Sequence, residues 1–227
     1  CPAGADGPCT AKGCLIVREQ TEFLTAETAC ERLGVSRETR EKLEAYVAIL
    51  LEWQGRMNLI GPGTIDDIWN RHIVDCAQLA RLVPPGCKRL VDLGSGAGLP
   101  GLIFAILGVQ GVELVESDQK KAAFLHAAAG AAGVKPLIHT CRVEAMPHEP
   151  ADVVTARAVA PLERLVPMVI PFMTEGSVAI LPKGSSVDHE LKAVARHWHL
   201  WYSRHTSMTD PRGCLLVIDR LYHDPRL

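Results

Sequence analysis

No uninterrupted apolar stretch of this 227-residue chain is long enough to cross a bilayer as a helix. With 48% hydrophobic residues, the expectation is a water-soluble protein with one sizeable core. An excess of charge is lacking too: 24 Lys and Arg nearly balance 26 Asp and Glu, so no global field marks a nucleic-acid partner, and any such surface must be local. The eight cysteines, at positions 1, 9, 14, 30, 76, 87, 141 and 214, include no C-x-x-C pair and show no zinc-ligand spacing with the nine histidines. Free thiols in a cytoplasmic protein, and no metal, are expected instead. Internal repeats are absent. Compositional bias is confined to the Gly-, Pro- and Ala-rich start of the chain, which is expected to be a disordered tail over residues 1–22.

What is present is a glycine turn between a strand and a helix, in Val91-Asp92-Leu93-Gly94-Ser95-Gly96-Ala97-Gly98-Leu99-Pro100-Gly101. Arg89, Leu90, Val91 and Leu93 make a short strand pattern, and Leu99 to Leu107 is an apolar run suited to a buried helix. Glycine at 94, 96 and 98 permits positive φ and close approach to a ligand, with backbone N–H groups facing it. Pro100 removes a donor that a first helical turn leaves unpaired. Gly96, Gly98 and Gly101 form a literal G-x-G-x-x-G, which alone fits a dinucleotide fold as well as anything else. Asp92 argues for an adenosylmethionine site, because a dinucleotide fold needs a small or apolar residue there. Glu116, ending the run Gly111 to Val115, stands where a ribose-binding acid is expected. The plain structural alternative is that both acids only cap the helices that follow.

Ser36 can cap an amphipathic helix with Leu43, Tyr46, Val47 and Leu50 on one face. After Gly61-Pro62-Gly63, Thr64 and Asp67 read as a capping box opening a second helix through about Leu82. Pro84-Pro85-Gly86 then divides a helical appendage (23–86) from an α/β domain (87–227). In the latter, strands near 89–93, 112–116, 136–140, 151–155 and 177–182 alternate with helices near 99–107, 119–132, 162–172 and 186–197. His199–Tyr202 and Cys214–Leu221 read as an antiparallel pair across Thr209-Asp210-Pro211-Arg212-Gly213. The expected fold is therefore a doubly wound, mostly parallel seven-stranded sheet with an antiparallel C-terminal strand, as in class I methyltransferases.

From about Leu43 to Leu221 the chain resembles the bacterial ribosomal RNA small subunit methyltransferase G family, also called glucose-inhibited division protein B. The segments that carry the resemblance are Gly94 to Gly101, Asn70-Arg71-His72-Ile73-Val74-Asp75, Arg142-Val143-Glu144, Ala156-Arg157-Ala158-Val159-Ala160-Pro161-Leu162, Leu181-Pro182-Lys183-Gly184 and the helix end Leu51 to Leu59. It implies methyl transfer from S-adenosyl-L-methionine to N7 of a guanine in 16S ribosomal RNA, by a monomer acting on that RNA or on the small ribosomal subunit. It further implies that Gly94, Ser95, Gly96, Gly98 and Leu99 touch the cofactor, Glu116 its ribose, Val143 and Glu144 its adenine, and Arg157 its methionine end. Arg157 and Lys183 would be catalytic, and Arg71, His72, Arg142 and Lys120 would contact RNA. Glu116 departs from the shorter acid common in the family, Pro182 precedes Lys183, and the Cys-rich start matches nothing in it.

Guanine N7 carries an in-plane lone pair, so its methylation needs positioning and charge management rather than a base. Asp152-Val153-Val154-Thr155-Ala156-Arg157 stands where amino-group methylation uses an Asn-Pro-Pro-aromatic box, and no Pro-Cys pair follows the glycine loop to attack a pyrimidine carbon. The plain readings remain open: Arg71 pairing with Asp67 or Asp75, Lys183 a solvated strand end, Lys120 and Lys121 simply exposed, Trp53 and Trp69 core residues, His197 and His199 structural. So do three other functions on a related fold: a small-molecule methyltransferase, a nicotinamide oxidoreductase, and a catalytically silent RNA- or cofactor-binding module.

Overall fold

A computed structural model describes residues 23–223, so the expected tail and Cys1, Cys9 and Cys14 lie outside the described residues. Thr25 opens helix α1 (Ala26–Leu33) through a capping box with Thr28, and Ser36 caps α2 (Arg37–Gln54) by accepting from Thr39 N. The α2 stripe Leu43, Tyr46, Val47 and Leu50 is buried, as its spacing predicts.

The helix expected from Thr64 starts later and changes pitch. The Thr64 hydroxyl donates to Gly61 O (2.7 Å) and meets His72 Nε2 (2.7 Å), so it caps nothing. After a 3-10 turn at Pro62–Thr64, the chain forms a π-helix over Trp69–Val74, a single α turn, α3 (Asp75–Ala77), and a 3-10 turn over Gln78–Leu82.

The α/β part runs β1 (Leu90–Leu93), α4 (Gly101–Ile106), β2 (Val112–Val115), α5 (Gln119–Ala131), β3 (Leu137–His139), β4 (Val153–Thr155), α6 (Leu162–Val169), β5 (Val178–Lys183), α7 (Val187–Val194), β6 (Trp198–Thr206) and β7 (Cys214–His223). These strands form one seven-stranded sheet in the order β3-β2-β1-β4-β5-β7-β6. β1 to β5 are mutually parallel, while β7 lies antiparallel between β5 and β6. The expected doubly wound sheet is therefore present, with an antiparallel pair longer than its sequence pattern indicated.

Alternation along each strand sorts the interior into two cores. Leu90, Leu114, Val153 and Ile180 face one side with α2, α4 and α5, where Trp53 meets Phe124 edge-on at 5.8 Å. Val91, Leu93, Val154 and Leu181 face the other with α6 and α7. The N-terminal helices thus share a core with the sheet. Strand order reverses between β1 and β4, and in such sheets the crevice for ligands opens at the carboxyl ends of those two strands.

Candidate functional site

The loop after β1 holds Gly94, Gly96 and Gly98 at φ of 68°, 54° and 79°, a region that penalises any Cβ. A Cβ on Gly98 would stand 2.8 Å from Leu102 Cβ, and one on Gly101 would stand 2.6 Å from Asp92 Oδ2, so these two glycines serve close packing. Gly96 differs. Its Cβ position faces open space, with Gly94 O the nearest atom at 3.8 Å. Tyr46 on α2 braces the loop from beneath, its hydroxyl donating to Ala97 O at 2.7 Å. Glu116, at the end of β2, is buried and accepts from Gly96 N (2.9 Å) and Asp118 N (2.8 Å). One carboxylate oxygen is used by each bond, and each keeps a lone pair for a hydroxyl.

Asp92 lies fully inside. Its Oδ2 accepts from Gly101 N (3.1 Å), so it does cap α4, but its Oδ1 is buried with no hydrogen-bond partner. Burial raises its carboxyl to about 7, and the neighbouring charge of Glu116 adds to the rise against Ser95, Gly101 N–H and Arg157. Next along the edge, Val143 is buried in a 3-10 turn after β3, with Glu144 and Arg142 exposed beside it.

Across the switch point, Arg157 follows β4 and is held by one surface of the 68–82 helical run. Its Nη2 donates to Arg71 O (2.9 Å) and pairs with Asp75 Oδ2 (3.2 Å); both terminal nitrogens lie 3.2 Å from His72 Nδ1, and Nη1 lies 3.6 Å from Cys76 Sγ. The π segment and the α turn that follows it carry positions 71, 72, 75 and 76 on the side that meets Arg157, a place in keeping with the tendency of π turns to occur at functional sites. His72 is buried, and its pKa falls to about 4, first from burial and then from the charges of Arg157 and Arg71. A neutral ring must accept at Nδ1 from the guanidinium, so Nε2 carries the proton and donates to Thr64. Ala158, the next residue, holds a positive φ of 55° without being glycine, a strained position of the kind that collects at functional sites.

The sequence pattern of the family described as rRNA small subunit methyltransferase G matches residues 39–213. The chain belongs to this family. A relative named ribosomal RNA small subunit methyltransferase G from Rhodospirillum rubrum is 48% identical over 199 residues, covering 88% of this chain and 99% of its own. Another of that name from Paramagnetospirillum magneticum is 46% identical over 190 residues, 84% and 93% of the two chains. Among solved structures, an O-methyltransferase from Bacillus cereus superposes with a TM-score of 0.56 at 12% identity, covering 86% of this chain and 96% of its own. A ribosomal protein L11 methylase from Lactobacillus delbrueckii gives 0.54 at 16%, covering 66% and 78%. Those likenesses are of fold, and the fold is that of class I methyltransferases.

In this family member, a cavity of about 510 Å³ lies beside Arg157, walled by Arg71, Lys183, Glu190 and Asp210 among others. Lys183 is no solvated strand end: its side chain is 9% exposed, with Nζ on Glu190 Oε2 (2.9 Å) and Ala160 O (3.2 Å). Arg71 is exposed, and among the described residues it forms no ion pair with Asp67 or Asp75, the latter being taken by Arg157. Two expectations need correction. His72 is not a surface contact, since both ring nitrogens are spent inside the protein. Nor do Arg71, Arg142, Arg157 and Lys183, which the family resemblance places around one mouth, all meet at this cavity: Arg142 is exposed on the β3 side and lines no part of it, and Lys120 is exposed at the start of α5.

Sequence reasoning missed Tyr46, Thr64, Asp75 and Glu190 as parts of the site. Asp75 also accepts from Thr209 Oγ1 (2.6 Å), pinning the β6–β7 turn over the cavity. Its signals were membership of the Asn70–Asp75 segment and its spacing from Arg71, though the arginine it pairs with is Arg157. Among the described residues, no cluster of three His, Cys, Asp or Glu side chains could hold a metal, and no helix is long and apolar enough to span a membrane.

Proposed function

We propose that the protein transfers the methyl group of S-adenosyl-L-methionine to N7 of a guanine in 16S ribosomal RNA. The observation that carries this reading is the divided carboxyl edge. One half offers an open glycine, a buried carboxylate with lone pairs to spare and a buried oxygen lacking a partner; the other offers a cavity walled by Arg157, Arg71 and Lys183. These residues fit the cofactor: Gly94, Ser95, Gly96, Gly98 and Leu99 would cradle it, Glu116 would hold its ribose, Val143 and Glu144 would flank its adenine, and Asp92 Oδ1 would meet its ammonium. The bound cofactor supplies an electrophilic methyl on a sulfonium.

The protein's own work is then positional and electrostatic. Arg157, immobilised by four neighbours, orients the base or its phosphate at the boundary between the two halves. Lys183, neutralised by Glu190, fixes the Ala160–Leu162 loop through Ala160 O while Glu190 also accepts from Leu162 N (2.9 Å). Among the described residues, His72 has given its acceptor nitrogen to Arg157, Asp75 and Glu190 are paired with Arg157 and Lys183, and a lone pair at N7 asks for no base.

Aniline cleavage mapping of N7-methylguanine in ribosomal RNA from cells with and without the protein tests the reading. One cleavage in 16S RNA that depends on the gene, restored by purified protein and cofactor, is expected. Label from the cofactor appearing in small molecules with no RNA product would overturn it.

A further inference from the structure

The outer hairpin of the sheet is amphipathic in an unusual sense. In β6 and β7, Trp198, Leu200 and Leu221 pack against the second core with α7 on one face. The opposite face of the same stretch carries His199 and Trp201 on β6, in register with Tyr222 and Arg220 on β7. These four make a continuous stack. His199 lies parallel to Tyr222 (4.8 Å, 24°), Trp201 is tilted against Tyr222 at 5.7 Å, and the Arg220 guanidinium lies 5.5 Å from the Trp201 ring. Trp201 and Tyr222 stay 45% and 46% exposed, although burial of a large ring is ordinarily favourable. With Tyr202, which lies on the other face in register with Ile218, they are three of the six large apolar side chains exposed among the described residues, so this face alone holds two of the six.

Charge favours one occupant. From Ala195 to Thr209 the chain has two arginines and three histidines and no acid, against a protein whose charges otherwise balance; of the arginines, Arg204 lies on the other face, in register with Leu216 and paired with Asp188. Asp219 is the one carboxylate on β7. β6 is also the sheet's edge, and its exposed face continues through Ser203 and His205 toward the turn whose Ser207, Thr209 and Asp210 wall the cavity. From Trp201 to Thr206 is about 17 Å at the usual rise of an extended strand. Rings stacked on a sheet with a guanidinium over them match the chemistry that holds unpaired nucleotides, whose bases stack and whose phosphates take the cation.

We propose that this face is a second RNA-binding surface, on which His199, Trp201, Arg220 and Tyr222 stack unpaired bases of the RNA whose target guanine enters the cavity. It rests on the reading that RNA is the substrate. The surface supplies affinity and register, and takes no part in the methyl transfer.

The test compares wild type with Trp201→Ala/Tyr222→Ala and Trp201→Phe/Tyr222→Phe, using unmodified 16S ribosomal RNA made by transcription and a uridine 12-mer. Loss of two stacking rings is expected to weaken both RNAs by roughly tenfold or more. Affinity for S-adenosyl-L-methionine and the single-turnover rate at saturating RNA should stay within about twofold, the melting temperature should shift by no more than a few degrees, and the phenylalanine pair should recover most of the binding. An alanine pair that binds both RNAs like wild type overturns the proposal, as does one that changes only the oligomeric state in sedimentation, which would make the face a contact between copies of this chain. If wild type methylates no RNA, the activity reading fails on its own account. Binding of the 12-mer still decides whether the surface exists.

Discussion

His72 and Asp92 are both buried and titratable, and burial pushes each toward its neutral form. His72 is kept neutral beside a guanidinium, and its value lies in which nitrogen accepts. His72→Ala leaves Arg157 short of an acceptor and removes the bond that the Thr64 hydroxyl accepts, while its bond to Gly61 O remains, a loss of about 1–3 kcal/mol. Single-turnover methylation at saturating RNA should fall roughly tenfold to a hundredfold by the same energy, while His72→Asn, which retains an acceptor, should keep most of the rate. Equal rates for alanine and wild type would remove the buttress from the mechanism. Asp92 has a folded pKa of about 7 against an ordinary 3.8, so its contribution to stability is full below about pH 4 and is lost as pH rises through 7. Melting temperature should therefore decline over that window, and Asp92→Asn should flatten the decline. A cation placed beside Oδ1 favours the charged carboxylate. S-adenosyl-L-methionine should thus bind with proton release near pH 6.5 and gain affinity up to about pH 7, as calorimetry in buffers of different ionisation enthalpy will show.

The turn from β1 into α4 contains glycines of two kinds, and two substitutions should tell them apart. Gly101→Ala drives a Cβ into Asp92 and Leu114, where helix and strands are in contact and cannot give. Overpacking of that kind costs about 1–3 kcal/mol, which lowers the melting temperature by several degrees for a domain of this size. Gly96→Val points its side chain into open space, so beyond the strain of its positive φ it should spare the fold while abolishing cofactor affinity. Thermal melts and cofactor titrations on both variants check this. If both lose stability and neither loses specific binding, the loop is a structural turn alone.

The assembled molecule presents its cations as separate patches on a nearly neutral surface: Arg71 at the cavity, Lys120 and Arg142 on the β3 and α5 side, and Arg220 on the outer hairpin. Affinity for RNA should consequently depend on salt through independent contacts. Removing Arg71 or Arg142 should each lessen the log–log slope by about 0.7 if it meets a phosphate on single-stranded RNA. The rate at saturating RNA and saturating cofactor should stay nearly flat from about pH 6 to 9, because N7 needs no deprotonation, His72 does not titrate there, and the titration of Asp92 near 7 acts on cofactor affinity. A rate rising tenfold per pH unit would demand a base and another target atom.

Much of this was readable from local pattern. The alternating strands and helices, the glycine turn with its two acids, the Ser36 cap and the antiparallel ending are each written within a few residues, where period, φ preference and hydrogen-bonding capacity act directly. The 64–82 segment shows where such reading stops. Thr64 has the side chain and spacing of a cap, but its hydroxyl is committed to His72, whose other ring nitrogen meets Arg157, some 85 residues away in the chain. Lys183 likewise looks like a solvated strand end until Glu190 closes on it. The division of the basic residues into patches follows from strand order, which places β3 and β4 on opposite sides of β1. Local sequence sets what each side chain is able to donate or accept; which partner takes it depends on long-range packing, because a buried polar group bonds to whatever the fold brings within 3 Å of it.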